Sequence, residues 1–406
     1  MERVEVAVVG GGQAGLATSH ELTERGTEHV VLERGRIGQT WRDRWDSFCL
    51  VTPNWSVRLP GGAYDGDDPD GYLPRDELVA YLEGYAASAA GPVREGVEVT
   101  GIRDTPDGFE LDTSSGPLGA REVVLANGAY QRVHRPPGAE GFPAELAVLD
   151  LTDYTNEAAL PPGRVLVIGS GQSGCQLAEE LHEAGREVFL ACGRAPWMPR
   201  RVAGRDIVWW VIETGFMDAP ASSLPDPQAR LDANILATGH GGGHDLHLRT
   251  LRAMGVTLLG HFDGVEGPEA RFSQDLGEVV AWGDQRHAML MGLIRTTAAE
   301  RGIALDIEPP TPFDPASPAT LDLAGFGAVV LTGGFRPDYR SWLPWTDAFD
   351  DLGFPIQQDG ASTVVPGLFF VGVHFLRKRK SALLLGVGED AAIVARSVAE
   401  RHGGPR

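Results

Sequence analysis

The sequence predicts an α/β fold built on two Rossmann-like dinucleotide-binding domains, one inserted into the other. Two observations predict it. A glycine triad, Gly10-x-Gly12-x-x-Gly15, stands between an apolar run and a helical pattern near the N-terminus, and a second, Gly169-x-Gly171-x-x-Gly174, stands in the same setting further along. A chain of 406 residues exceeds what one hydrophobic core usually organises, which leaves room for both.

The elements follow in order. The apolar run 6–9 meets glycines, Leu16, Ala17 and Leu22 recur at helical spacing, and 29–32 is a second buried-strand candidate, completing a βαβ unit. Over 74–87, Leu78, Tyr81, Leu82 and Tyr85 recur three and four apart behind Pro74, which suits a first helical position. Short strands at 97–102, 109–113 and 122–125, parted by Asp107-Gly108 and Ser115-Gly116-Pro117, predict an antiparallel meander ending near Gly128. After Pro161-Pro162-Gly163 the pattern restarts: strand 165–168, a helix carrying Cys175, Leu177, Ala178 and Leu181, then strand 188–190. The stretch 220–318 carries little periodicity beyond a glycine cluster (Gly239, Gly241, Gly242, Gly243) and a helix over 246–254. Strands at 328–331 and 368–371 and a closing helix over 389–399 return the chain to its first unit. The expected division is therefore 1–157 with 326–406 as the outer domain and 158–325 as the inserted one.

In the first triad the leading glycine takes the tight turn, the second lets the backbone approach a pyrophosphate, and the third lets helix and strand pack closely. Phosphate charge then rests on the helix N-terminus. Glu33, eighteen residues beyond Gly15, is placed to accept hydrogen bonds from ribose hydroxyls and to repel a 2′-phosphate, so this site suits FAD or NAD. Twenty residues beyond Gly174 stands Arg194 instead of an acid, with Arg200 and Arg201 in the same loop. Guanidinium groups there favour a 2′-phosphate, hence NADPH.

Composition excludes other classes. Fifty-six acidic against 35 basic side chains leave a formal net charge of −21, which argues against nucleic acid and anionic membrane as partners. The N-terminus enters a strand without the basic flank of a signal peptide, and the apolar runs are too short to span a bilayer. Cys49, Cys175 and Cys192 form no Cys-x-x-Cys pair, so neither a disulfide framework nor a thiol relay is expected, and a reducing cytoplasm fits. The eleven histidines do not gather at metal-ligand spacing.

Further segments carry a resemblance: residues 10–17, Leu32-Glu33-Arg34 leading through Ile37-Gly38 to Trp41, 124–128, 169–174, 330–338 and 366–372. Over nearly the whole chain these resemble the class B flavin-dependent monooxygenases, the group that includes flavin-containing monooxygenases and bacterial CzcO-like oxidoreductases. The resemblance implies FAD in the outer domain, reduction by NADPH, and addition of O2 to the reduced flavin as a C4a-hydroperoxide that oxygenates a small organic substrate. It implies that the segments at Gly128 and Gly333, variants of the family's paired strands, connect the two domains. It also places Asn54 beside the flavin's reactive edge, as a donor to the peroxide or a guide for the nicotinamide, where an ordinary turn Asn after Pro53 is the alternative. The fingerprints and the resemblance together give as cofactor-binding candidates Gly10, Gly12, Gln13, Ala14, Gly15, Glu33, Arg34, Gln39, Thr40, Trp41, Thr52, Ala126, Asn127, Gly128, Gly169, Gly171, Gln172, Ser173, Gly174, Arg194, Arg200, Arg201, Gly333, Gly372, Ser381 and Leu384.

One family motif is altered. In F-x-G-x-x-x-H-x-x-x-[FYW], Phe142 stands near the right place but no glycine follows it at the proper spacing, Tyr154 ends the motif, and counted back from Tyr154 the histidine position holds Asp150. An NADPH oxidase or flavin-dependent reductase without oxygen insertion, and a non-catalytic flavin redox sensor, are therefore the alternatives. The basic run at 377–380 reads either as a solvated loop or as a positive field for reduced, anionic flavin; His374 reads as structural or as facing flavin or substrate. Trp209 and Trp210 read as packing. Substrate identity is not legible, and a homodimer is left open.

Overall fold

The computed structural model describes residues 1–401. Its first sheet is organised around the strand Glu2–Val9, whose residues Val6 to Val9 are apolar and buried because parallel neighbours flank it on both sides: His29–Glu33 on one, Leu118–Leu125 on the other. A strand covered on both faces cannot alternate polar and apolar residues, hence the continuous run. Outward from there, Val93–Glu95 closes one edge. Leu368–Phe370 pairs in parallel with Leu118–Leu125 on the other side, and Ala361–Ser362 and Gln357–Gln358 add antiparallel strands beyond it. The meander Val99–Thr105, Gly108–Thr113 leads antiparallel into Leu118–Leu125. The helices Gln13–Glu24 and Val387–Arg401 share one core cluster with the helix Arg75–Ala89, through Leu16, Leu22, Leu78, Leu82, Val394 and Val398.

The second sheet has five parallel strands in the order Ala147–Asp150, Phe326–Leu331, Arg164–Ile168, Val188–Ala191, Thr257–Leu259. Two of these correct the expected division, since 147–150 and 326–331 lie in stretches assigned to the outer unit. Phe326–Leu331 is buried throughout and pairs on both edges, which only an interior place in the second sheet provides. The chain passes between the sheets at a short antiparallel pair, Arg132–Val133 with Phe335–Arg336.

The stretch with little periodicity contains the longest helix, Leu276–Glu300. Its buried side includes Leu276, Val279, Val280, Gly283, His287, Leu290 and Ile294, a helical spacing whose stripe is interrupted by a glycine and a histidine. Both exceptions have one cause, Trp197. A Cβ on Gly283 would stand 3.3 Å from its ring, and the His287 ring stacks on it at 4.1 Å and 11°. The indole also donates to Asp284 at 3.0 Å. Among the described residues no helix is long and apolar enough to cross a membrane.

The helix Leu248–Met254 begins with His247, whose ring accepts from the Thr250 N–H while the Thr250 hydroxyl accepts from the His247 N–H. That cap requires an uncharged imidazole. Burial, opposed by nearby Asp245, holds the His247 pKa down to about 4. Since the unfolded imidazole takes its proton near its ordinary value of 6.5, the cap contributes fully above that pH and is lost as pH falls toward 4. His247→Asn keeps a capping side chain that does not titrate. Thermal denaturation from about pH 7.5 down to about pH 4 should show wild type losing up to about 3 kcal/mol relative to this variant; parallel pH profiles would contradict the assignment.

Candidate active site

Each glycine triad places backbone against backbone. Gly10 has φ +113°, and a Cβ there would lie 2.5 Å from the Ala126 carbonyl oxygen; a Cβ on Gly15 would lie 1.8 Å from the Gly10 oxygen. Nothing would meet a Cβ on Gly12, at the N-cap, so the first N–H groups of Gln13–Glu24 open onto free space. Glu33 is buried and staples two turns, its carboxylate accepting from the Gly11 N–H at 2.6 Å and the Gly35 N–H at 2.8 Å.

Around this N-terminus the structure gathers several candidates distant in sequence. Trp41 donates to the Gln13 side chain at 2.9 Å, and Gln13 donates onward to the Ala382 carbonyl at 3.2 Å, between Ser381 and Leu384. Gly372 has φ +78°, and a Cβ there would come within 2.5 Å of the Ala14 methyl. Ala126 is buried, and the Asn127 side-chain oxygen beside it is buried with no hydrogen-bond partner among the described residues. Such an acceptor needs a donor, and a nucleotide hydroxyl at this position would satisfy it. The glycines, the exposed helix end and this orphan acceptor together fit FAD.

Other candidates are engaged elsewhere. Arg34 and Thr40 are exposed, while Gln39 donates to Asp43 at 2.7 Å and accepts from the Arg36 N–H at 3.0 Å. Thr52 is half-buried. Asn54 is buried, accepting from the Leu73 N–H at 2.7 Å and donating to the Asp68 carbonyl at 2.9 Å. The Ser381 hydroxyl accepts from the N–H groups of Arg377 and Lys378, and Leu384 is buried. Gly128, at φ +81°, opens the passage to the second sheet.

The second triad repeats the first. Gly169 has φ +111° against the Thr332 carbonyl, and a Cβ on Gly174 would lie 1.8 Å from the Gly169 oxygen. Gly171 caps the helix Gln172–Glu183, Ser173 is half-buried, and Gly333 packs on the His134 carbonyl, where a Cβ would stand at 2.4 Å. Gln172 grips Ala237 at both its N–H and its carbonyl. Arg194 is exposed just beyond the strand Val188–Ala191, with no ion-pair partner among the described residues.

Arg200 corrects the sequence reading. Arg200 is 2% exposed and bound to Asp206 at 2.7 Å, so its charge is neutralised and shielded from any nucleotide. Arg201 donates to the carbonyls of Gly243 and Gly242 at 3.0 and 3.2 Å. The basic run is likewise neither solvated nor a free positive field. Arg377 pairs with Asp359 and Asp390, and Lys378 and Lys380 both pair with Asp218 and Glu389. Arg379 lies over the rings of Phe216 and Phe375 at 4.1 and 4.9 Å. The run clasps the segment 217–221 to the first sheet's loop.

The altered motif is structural: Asp150 binds Arg135 through two hydrogen bonds of 2.9 and 3.0 Å, and the Tyr154 hydroxyl donates to Glu180 at 2.8 Å. Burial holds His374 down to about 4, hence neutral near pH 7, with its ring 5.6 Å from that of Tyr130. Sequence reasoning missed Arg44, whose guanidinium lies 5.0 Å from the Tyr130 ring and whose Nε is buried without a hydrogen-bond partner among the described residues. Cys175 and Cys192 are buried, and burial pushes both thiols up, Cys192 to about 12, so neither is a thiolate.

Residues 7–210 match the family described as pyridine nucleotide-disulphide oxidoreductase. An uncharacterized CzcO-like oxidoreductase of Geobacillus kaustophilus is 31% identical over 390 residues, covering 96% of each chain. The chain belongs to the class B flavin-dependent monooxygenase family. A probable indole-3-pyruvate monooxygenase of Arabidopsis thaliana is 26% identical, covering 97% of this chain and 86% of its own. In fold the chain is similar to a flavin-containing monooxygenase from Stenotrophomonas maltophilia, with a TM-score of 0.69 at 20% identity, covering 99% of this chain and all of that one. The chain is thus an FAD-dependent oxidoreductase.

Because Glu33 holds two backbone N–H groups, Glu33→Ala should lower stability by about 2–3 kcal/mol in urea unfolding. It should also reduce the flavin absorbance carried per protein through purification. Full flavin occupancy with unchanged stability would contradict both roles.

Proposed function

We propose that this protein is an NADPH- and O2-dependent monooxygenase of a small organic substrate, with FAD on the first sheet and NADPH on the second. The NADPH-binding domain is an insertion running between the crossing strands Arg132–Val133 and Phe335–Arg336. The observation that carries this reading is the pair of glycine-lined helix N-termini, each followed at the next strand end by an unlike residue, buried Glu33 at one and exposed Arg194 at the other.

When bound, FAD supplies electron storage and the oxygen chemistry. The N–H groups at Gly12–Gln13 bind its pyrophosphate, Glu33 accepts from the ribose, and the Asn127 oxygen accepts a ligand donor. Arg194, which brings a free charge, binds the 2′-phosphate of NADPH. Trp41, held by Gln13, walls the flavin side against water, and neutral His374 and Tyr130 line the passage between the units. Its free cysteines, two of them buried, suit a reducing cytoplasm.

A second reading, reduction or oxidase activity without oxygen insertion, is favoured by Asp150, which stands where the family has histidine and is locked to Arg135.

Anaerobic mixing with NADPH should bleach the flavin faster than NADH does, and admission of air should give a transient absorbance before the oxidised spectrum returns. Direct reoxidation without a transient supports the second reading, and no bleaching by either nucleotide overturns both. Arg194→Ala should lower the efficiency of reduction by NADPH about 10- to 100-fold and leave NADH nearly unchanged.

A further inference from the structure

Arg200 is the buried charge that the proposed function leaves without a task. It lies in the loop that runs on from Arg194, within the stretch between the crossing strands, yet two of its partners are in the outer unit. Nη1 donates to the Val51 carbonyl at 2.8 Å and Nε to the Tyr72 hydroxyl at 3.0 Å, with the guanidinium 4.5 Å from the Tyr72 ring. The Asp206 Oδ2 accepts from Nε and Nη2 at 2.9 and 2.7 Å and from the Tyr72 hydroxyl at 2.7 Å. Three charged or polar groups thus satisfy one another across the boundary, with the Arg200 side chain 2% and that of Asp206 12% exposed.

Both sides of this joint are rigidly framed. Arg200 and Asp206 flank the hairpin Arg201–Val202 with Arg205–Asp206, whose turn residues Ala203 and Gly204 both have positive φ, as a tight two-residue turn requires. The other Asp206 oxygen caps the helix Ile207–Glu213 by accepting from the Val208 N–H at 2.8 Å, and Trp210 of that helix donates back to Val202 at 2.9 Å. Opposite, Val51 and Tyr72 are the two ends of the loop carrying Thr52 and Asn54. Asn54 closes that loop from within, through Leu73 and Asp68, and the Leu50 N–H donates to the Leu73 carbonyl at 2.9 Å.

The glycine cluster belongs to the same joint. A Cβ on Gly239 would stand 2.1 Å from the Leu50 oxygen, and one on Gly243 would stand 2.7 Å from the Tyr72 hydroxyl oxygen. Only a backbone without side chains seats against this loop so closely, and Arg201 secures it through Gly242 and Gly243.

We infer that Arg200 is a positioning residue for flavin reduction: with Asp206 it clamps both ends of the loop 51–72 to the NADPH-binding unit and so fixes the separation over which hydride passes. The inference rests on the proposed function, in which a hydride, carrying two electrons, leaves the nicotinamide ring for the flavin. Transfer of this kind loses rate steeply when donor and acceptor are displaced by about an ångström, whereas ground-state affinity set at the phosphate end is unaffected.

The test is anaerobic stopped-flow reduction of the FAD-loaded protein by NADPH and by NADH, in wild type, Arg200→Gln, Arg200→Lys and Tyr72→Phe. The limiting reduction rate should fall roughly tenfold or more in Arg200→Gln and about threefold in Tyr72→Phe, with partial recovery in Arg200→Lys. The apparent Kd for NADPH should stay within about twofold and the NADPH to NADH preference should not change. A weakened Kd with loss of that preference at an unchanged limiting rate would make Arg200 a phosphate ligand and overturn the inference, as would wild-type rates and affinities throughout. If Arg200→Gln does not hold FAD, Tyr72→Phe, which removes one hydroxyl, decides by the same criteria. A wild-type protein that binds FAD but is reduced by neither nucleotide overturns the proposed function, and the inference with it.

Discussion

The close approach of backbone to backbone at two turns is the constraint from which the rest of the molecule follows. Gly15 against the Gly10 carbonyl and Gly174 against the Gly169 carbonyl leave less room than a methyl group needs. That contact brings each helix onto its strand and leaves its first N–H groups facing outward, a placement that a side chain would obstruct. Strand order follows from it. The two strands that carry the turns must be flanked on both edges to bury their apolar faces, and each is, by parallel neighbours.

Charge is organised locally against a strongly acidic background. Arginines close together in sequence have opposite environments: Arg194 is exposed beyond a strand end, while Arg200 is sunk in a joint with Asp206 and Tyr72. Burial of a guanidinium is tolerated only where a carboxylate and further acceptors take up its donors, and Arg200 meets that condition. It also holds Tyr72, whose hydroxyl burial pushes up to about 12. The run at 377–380 obeys the same rule. Its lysines face Asp218 and Glu389, so positive residues that look available in sequence are consumed in joining one segment to another.

Much of the fold was legible because it rests on local periodicity. The strands, the helix beginning at Arg75, the meander and the closing helix all carry apolar spacing of 2 or 3.6 residues, or a continuous buried run. The helix Leu276–Glu300 escaped because its buried stripe contains Gly283 and His287, chosen for the shape of Trp197 rather than for apolarity. The glycine cluster at 239–243 read only as a loop, since its reason lies across the chain in Leu50 and Tyr72. At the site, the two triads, Glu33 and Arg194 were readable from spacing. Arg44 and the true environment of Arg200 were not, because burial and partner choice depend on residues far away in sequence.

By itself, the sequence determined that this chain has two glycine turns between strand and helix, and it marked the end of the strand after each with residues of opposite charge. Those are properties of two short stretches of chain, in which steric size and spacing are decisive. Which strand joins which sheet, and which arginine is free, were decided only by tertiary structure. The strand Phe326–Leu331 is equally apolar in either sheet and takes its place by pairing on both edges. A guanidinium's role depends on what it meets after the chain has closed around it.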